Sequence, residues 1–338
     1  MKRRGFTLIE LLVVIAIIAL LISILMPALS SVRRLGQTTT CLASLKSLAT
    51  GGALYANDND DAYPGGPGTS GIYLFGQTTA FGHAVQRWDF MGPIAKTWGV
   101  SLKQSDGSNQ QQVAERFAEM VENKLFLCPS NSFLATHFAG PNAGTVRMVS
   151  YNASRHLMWQ RQPLIPGTSI DENISWYDNE FEEKLPANYK PVSSLVGVAA
   201  NKVLYADGSR FSTETDPPDY DLELNARYGG AFADIGPFST FSRSWCRKRA
   251  PGNGATGTVD PRAYGFRHAN AIPGTGAAPN AYRGNFSFWD GHAETKGDLE
   301  ASNPQMWLPR GSTIEGTGGM YPDTIARFGL NGTITIGG

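Results

Sequence analysis

Apolar positions fall into two regimes along the first sixty residues. From Leu11 to Met26 every residue is apolar except Ser23, and no charged side chain occurs between Glu10 and Arg33. Roughly 20 such residues cross a bilayer core as a helix, so the run is long enough to span. From Leu35 onward the pattern becomes periodic: Leu35, Thr38, Leu42, Leu45, Ala49, Gly52 and Ala56 recur every three or four residues, one stripe of an amphipathic helix. The small members of that stripe admit close approach of whatever packs on it. Together the two regimes predict one continuous helix from Phe6 to Asn57, about 78 Å long at 1.5 Å per residue. Asn57-Asp58-Asn59-Asp60-Asp61 and then Pro64-Gly65-Gly66-Pro67-Gly68 end it, being turn formers that a helix tolerates poorly.

Beyond the turn the pattern changes to short elements. Residues 65–107 are rich in Gly and aromatics without a steady period and read as loops with short elements. Ser108 and Gln111 form a capping box ahead of Val113, Phe117, Met120 and Val121, which share a face and predict a short helix ending near Asn123. Residues 146–152, VRMVSYN, alternate as a strand does, whereas 160–200 are polar, interrupted by Pro and acidic from Asp178 to Glu183, which predicts a solvated loop. KVLYADGSRF, 202–211, reads as strand, Asp207-Gly208 turn and strand, and NFSFWDGHAE, 285–294, repeats that grammar around Asp290-Gly291. Residues 212–265 and 270–284 read as excursions between the hairpins. The predicted fold class is α+β: a long N-terminal helix, membrane-spanning in its first half, packed on an antiparallel β-sheet enlarged by loop insertions.

Glu10 conflicts with a simple lipid-spanning reading. Lys2, Arg3 and Arg4 precede the run with no acid among them, which favours a cytoplasmic N-terminus and an exported remainder. A cleaved secretory signal would share these features, with small residues at Ala28, Ser30 and Ser31 for a signal peptidase. A charge within the bilayer, however, costs about 2.5–3.5 kcal/mol on insertion scales and is normally paired. A cut between Gly5 and Phe6 would create such a partner. The new Phe6 amine would lie about 6 Å from Glu10 along the helix axis, or could meet the Glu10 of a neighbouring chain.

Arg4-Gly5-Phe6-Thr7-Leu8-Ile9-Glu10 followed by an apolar helix resembles the class III signal of type IV pilins and type II secretion pseudopilins. The resemblance implies a membrane prepilin peptidase that cuts after Gly5 and N-methylates Phe6. It implies a docking role for Glu10 during filament assembly, and it makes Pro27 a helix-bending proline. Phe266-Arg267-His268, with Asn285-Phe286-Ser287-Phe288-Trp289-Asp290-Gly291-His292 further on, resembles the prepilin-type proteins defined by a histidine, a nine-residue spacer and Asp-Gly. Cys41, Cys128-Pro129-Ser130 and Ser150-Tyr151-Asn152 also match that group. Here 21 residues separate His268 from Asp290, which places an insertion of about twelve around PGTGAAPN. The organisation that follows is a leader at 1–5, a transmembrane and stalk helix at 6–57, and an exported α+β head at 58–338.

Composition narrows the function classes. With 17% charged residues and a formal net charge of zero, the composition shows nothing basic enough to predict nucleic-acid binding. No nucleophile elbow, HExxH, phosphate loop or CxxC is present, so no enzyme and no cofactor is expected. Asp58, Asp60 and Asp61 lack the glycine and distal glutamate of a calcium loop and read as a solvated helix end. His268, Asp290 and His292 could form a first shell for a transition metal; the preferred reading is structural, with His268 hydrogen-bonded to Asp290 and His292 facing water. Of the three cysteines, Cys128 and Cys246 are the preferred disulfide and Cys41 with Cys128 the alternative, since the latter two both recur in the resembled group. The function implied is a pilin-like structural subunit whose partners are prepilin peptidase, other pilin-like subunits and inner-membrane lipid. The head would be periplasmic or extracellular. The alternative is a membrane-anchored binding module or enzyme, with Trp245, Trp289 and Trp307 as a glycan-stacking surface.

Overall fold

The computed structural model describes residues 6–64, 79–80, 83–84, 90–100, 118–132, 134–137, 145–158, 183–187, 189–208, 219–220, 232–242, 244–245, 247, 262–268 and 278–337. Helix α1 covers Leu8–Asn57, ending where the turn formers begin. Thr7 caps its N-terminus, and Asp60 and Asp61 reverse the chain after it with φ of 53° and 62°. Pro27 sits inside the helix, where it removes one amide donor. The hydroxyls of Ser30 and Ser31 both donate to the Pro27 carbonyl, at 2.8 and 3.2 Å.

The two sequence regimes of α1 have different surroundings. Leu8, Ile15, Ile22, Leu29 and Leu35 are all exposed, whereas Cys41, Leu45, Leu48, Ala49, Gly51, Gly52, Tyr55 and Ala56 are buried. The helix therefore runs free of the head for its first twenty-eight residues or so, about 42 Å, and packs on it thereafter. The expected stripe is correct from Thr38 onward, and Leu35 lies outside it.

The sheet under α1 has five strands, β1 (Tyr151–Ser154), β2 (Val203–Asp207), β3 (Ala233–Asp234), β4 (Arg283–Phe288) and β5 (Ala293–Gly297), in the order β5-β4-β2-β1-β3. Neighbours are antiparallel except β1 and β3, a parallel pair at one edge. That edge comes from the segment expected to be an excursion. The β4–β5 hairpin matches expectation, with Gly291 at φ 87° in its turn. The strand expected over 146–152 is instead divided. Thr145–Arg147 pairs with Leu134–His137, β1 starts at Tyr151, and the link between them buries Met148, Val149 and Ser150 in succession, which a half-buried strand cannot do. After Asp207, Gly208 still pairs, donating to the Ser150 carbonyl, and the expected return strand lies outside the described residues. Within 160–200, expected as loop, the described part contributes the strand Glu183–Lys184 and a helical turn at Ser193–Val196. Residues 118–122 are helical, within the short helix expected there.

Side-chain placement on β2 departs from strict alternation for a visible reason. Leu204 and Tyr205 both join the cluster under α1, while Val203 and Ala206 join the cluster on the far face. The register with β4 slips here: Ser287 pairs with Tyr205 but Phe288 with Val203, leaving Leu204 as the extra residue of a bulge. Asp207, two residues beyond Tyr205, is thereby aimed toward α1. The far face holds Phe286, Phe288, Trp245 and Trp307, with Trp245 and Trp307 in contact at 4.5 Å between ring centres. A second antiparallel sheet, Glu183–Lys184, Thr313–Glu315 and Thr333–Thr335, has the middle of these at its centre.

Gly51 sets how closely α1 meets helix α2 (Met91–Thr97). A Cβ there would lie 2.6 Å from Cγ2 of Ile94 and 3.2 Å from the Trp98 indole nitrogen. Gly51→Ala gains up to ~1 kcal/mol of helix propensity, but forcing a methyl into a filled core costs about 1–3 kcal/mol. The expected net result is a destabilisation of about 1 kcal/mol in urea melts of the detergent-solubilised chain. Gly36→Ala, whose Cβ meets nothing within 4 Å, should be neutral or stabilising.

Candidate functional site

Among the described residues, two groups on α1 bear on the residues singled out from the sequence, one at its N-terminus and one where the helix first meets the head. At the N-terminus, the Glu10 carboxylate accepts from both the amide (2.9 Å) and the hydroxyl (2.8 Å) of Thr7, and the Glu10 amide donates to the Thr7 hydroxyl at 3.3 Å. This capping box satisfies helix-end donors and gives the carboxylate a local set of partners. Sequence reasoning asked how Glu10 is neutralised and missed this answer, although the Thr-x-x-Glu spacing announces it. Phe6 is exposed, and Gly5 lies outside the described residues.

The second place is where α1 first meets the head. Cys41 from α1, Cys128 from the turn after the 3-10 segment Lys124–Phe126, Asp207 at the end of β2 and His268 ahead of β4 bring their ligand atoms within 4.8 Å of one another. Each is fixed by its own element. Cys128 heads a tight turn closed by the Asn131 amide on its carbonyl at 2.9 Å, and Asn131 in turn bonds Met148 and Ser150. His268 is held by its amide on the Arg283 carbonyl, 2.8 Å away, just after the buried Phe266. Cys41 lies on the buried stripe of α1.

The contacts inside the cluster are specific. The Cys41 thiol donates to Oδ1 of Asp207 at 3.0 Å and accepts from the Tyr151 hydroxyl at 3.3 Å. Oδ2 of Asp207 accepts from the Asn285 amide and faces Nε2 of His268, both at 2.9 Å. Nε2 also lies 3.5 Å from the Cys128 sulfur. Nδ1 of His268 is 3.1 Å from the Thr38 hydroxyl, whose single proton already goes to the Arg34 carbonyl at 3.0 Å, so Nδ1 must be the donor. The Thr38 carbonyl accepts from the Asn285 amide group. The side chains of His268 and Asp207 are 1% and 0% exposed, so this chemistry takes place away from water.

Burial and polar partners oppose each other at Asp207, His268 and Cys128, and act together at Cys41. Burial would lift the Asp207 carboxyl, but the charge and hydrogen bond of His268, aided by Arg267, hold it below the usual carboxylate range. Burial would lower His268, and Asp207 outweighs it, raising the imidazole to about 9. Burial, Cys128 and the Asp207 charge push the Cys41 thiol well up. Burial also acts to raise Cys128, yet hydrogen bonding from Cys41 and His268 and the charge of Arg267 bring it down to about 5. The cluster thus contains a histidine charged at neutral pH, a carboxylate and one thiol disposed to ionise.

His268 does not pair with Asp290, as the sequence reading expected; its carboxylate is Asp207. Asp290 and His292 are both more than a third exposed and bond each other at 2.5 Å in the β4–β5 turn, so the trio His268, Asp290 and His292 is not assembled. His292 also stacks on Phe288 with ring centres 4.2 Å apart. Cys128 is a free thiol beside Cys41, and its expected partner Cys246 lies outside the described residues. Asp61 accepts from the amide and hydroxyl of Ser193, tying the helix end to the head. Trp245 and Trp307 are fully buried and Trp289 is 5% exposed, which removes them as a surface for sugars. Sequence reasoning missed Asp207 and Thr38; the repeated strand-Asp-Gly grammar at 207 and 290 was the available signal for the former.

Residues 1–26 match the family model described as the prokaryotic N-terminal methylation motif. No curated protein and no solved structure matches the chain.

Proposed function

We propose that this chain, which carries the N-terminal signal of type IV pilins and pseudopilins, is a pilin-like structural subunit rather than an enzyme. It is cut by prepilin peptidase between Gly5 and Phe6, N-methylated, and assembled through α1 into a type II secretion pseudopilus or type IV pilus-like filament. The observation that carries the reading is the free half of α1. Its apolar side chains are exposed along some 42 Å, longer than the ~30 Å of a bilayer core. Such a surface needs lipid before assembly and suits other α1 helices after it. Glu10 then exchanges its Thr7 donors for the Phe6 amine of an adjacent subunit, so that each step buries a carboxylate only against a cation. The head lies on the far side of the membrane from the basic leader.

Mass spectrometry of the protein purified from membranes tests this directly. The mature chain is expected to begin at Phe6 with a methyl group on its amine, and to be recovered in sheared filament fractions. A mature terminus at Ser31 would mean an ordinary signal peptide and remove the reading.

A further inference from the structure

We propose that Cys41, Cys128, Asp207 and His268 form a closed structural site for a thiophilic divalent cation, Zn²⁺ by chemical class, which fastens α1 to the sheet. Two sulfurs, an imidazole nitrogen and a carboxylate oxygen form a donor set suited to zinc and poorly suited to calcium or magnesium, which take oxygen. With bonds of about 2.0–2.3 Å, tetrahedral ligand atoms lie roughly 3.3–3.8 Å apart. The distances here bracket that range: 2.9 Å from His268 to Asp207, 3.0 Å from Cys41 to Asp207, 3.5 Å from Cys128 to His268, and no pair beyond 4.8 Å. Small side-chain shifts would bring the four into a tetrahedron.

Three further observations fit a metal better than a set of mutual hydrogen bonds. The outer contacts are those of metal ligands: Nδ1–H of His268 donates to Thr38, leaving Nε2 as the inward nitrogen, Asp207 accepts from the Asn285 amide, and the Tyr151 hydroxyl donates to Cys41. Charge also balances. Two thiolates and a carboxylate carry three negative charges, offset by the divalent ion and the Arg267 guanidinium, whose Nε and Nη1 are buried without a hydrogen-bond partner among the described residues. Lastly, the ligands come from four separate parts of the chain with no side chain open to water. A site with four protein ligands and no open position is structural rather than catalytic. Binding displaces to solvent the Cys41 thiol proton, the Nε2 proton of His268 and whatever proton Cys128 still carries. The inference does not depend on filament assembly.

The test is metal analysis of the full-length protein, purified in detergent without chelator, together with a thiol count. About one zinc per chain is expected, with Cys41 and Cys128 both reduced. Exchange for cobalt should give visible d–d absorption with near-ultraviolet thiolate-to-cobalt charge transfer. Cys128→Ser and His268→Gln should each reduce bound metal at least tenfold, while Asp290→Asn and His292→Ala leave it unchanged. Should the ligand variants fail to fold, the cobalt spectrum of the wild type decides. Protein without metal, whether its thiols are free or joined as a Cys41–Cys128 disulfide, would overturn the proposal, as would metal retained by both folded ligand variants.

Discussion

Replacing Asp207 by Ala is expected to destabilise the protein by about 3–5 kcal/mol, whereas Asp290→Ala should cost less than ~1 kcal/mol. The two aspartates occupy the same strand-Asp-Gly context but different environments. Asp207 is fully buried, and its removal strands the charged His268 and deprives the Cys41 thiol and the Asn285 amide of their acceptor. Losing one partner of a buried ion pair has a cost of that size because the remaining charge has no water to turn to. If a cation holds the cluster, Asp207→Ala removes a ligand and the loss is no smaller. Asp290 pairs with His292 where both are well exposed, and exposed pairs contribute about 0–1 kcal/mol. Chemical denaturation of the two full-length variants in detergent measures the contrast. Equal losses would remove the special anchoring role of the first Asp-Gly, and a larger loss at Asp290 would give that role to the second.

Glu10→Val is expected to leave membrane insertion and processing intact while lowering incorporation into filaments by roughly a hundredfold, the equivalent of about 3 kcal/mol for one broken buried ion pair. Insertion should become easier, since an acid in the bilayer costs about 2.5–3.5 kcal/mol. The helix start should persist, because Thr7 accepts from the backbone amide of residue 10 whatever its side chain. What is lost is the pairing with a neighbouring amine, together with the carboxylate's two local bonds from Thr7. Quantifying the processed variant in membranes and in sheared filaments separates these effects. Incorporation at the wild-type level would exclude a docking role for this carboxylate.

The elements legible in the sequence were those whose pattern is local. A single helix ending at Asn57 followed from an unbroken apolar run, a three-and-four stripe and a cluster of turn formers, none of which needs knowledge of distant residues. The β4–β5 hairpin was legible for the same reason, since Asp290-Gly291 sits between alternating strands. The central cluster was only partly readable. Cys41, Cys128 and His268 could be singled out by type, but the carboxylate that joins them is 61 residues before His268 in the chain. Its orientation depends on the bulge at Leu204, which a strict period-two reading cannot anticipate. Thr38 looked like one more stripe residue, and its role appears only when the ring of His268 is placed against it. The division of 146–152 into two strands is likewise a tertiary outcome, because the buried run Met148-Val149-Ser150 links strands of two different sheets instead of continuing one.

The position of the polar cluster on α1 has a mechanical consequence. Thr38 and Cys41 touch the head at the first turns where the helix reaches it, ahead of the apolar stretch from Leu45 to Ala56. A pull along the helix axis, from the membrane side or from a neighbour, reaches these ties before the packed apolar contacts behind them. The Thr38–His268, Thr38–Asn285 and Cys41–Asp207 bonds join α1 to three separate parts of the head, the segment before β4, β4 itself and the end of β2, so they share such a load side by side rather than parting one after another. The head is then attached to its shaft by a rivet at the mouth and a glued joint beyond it.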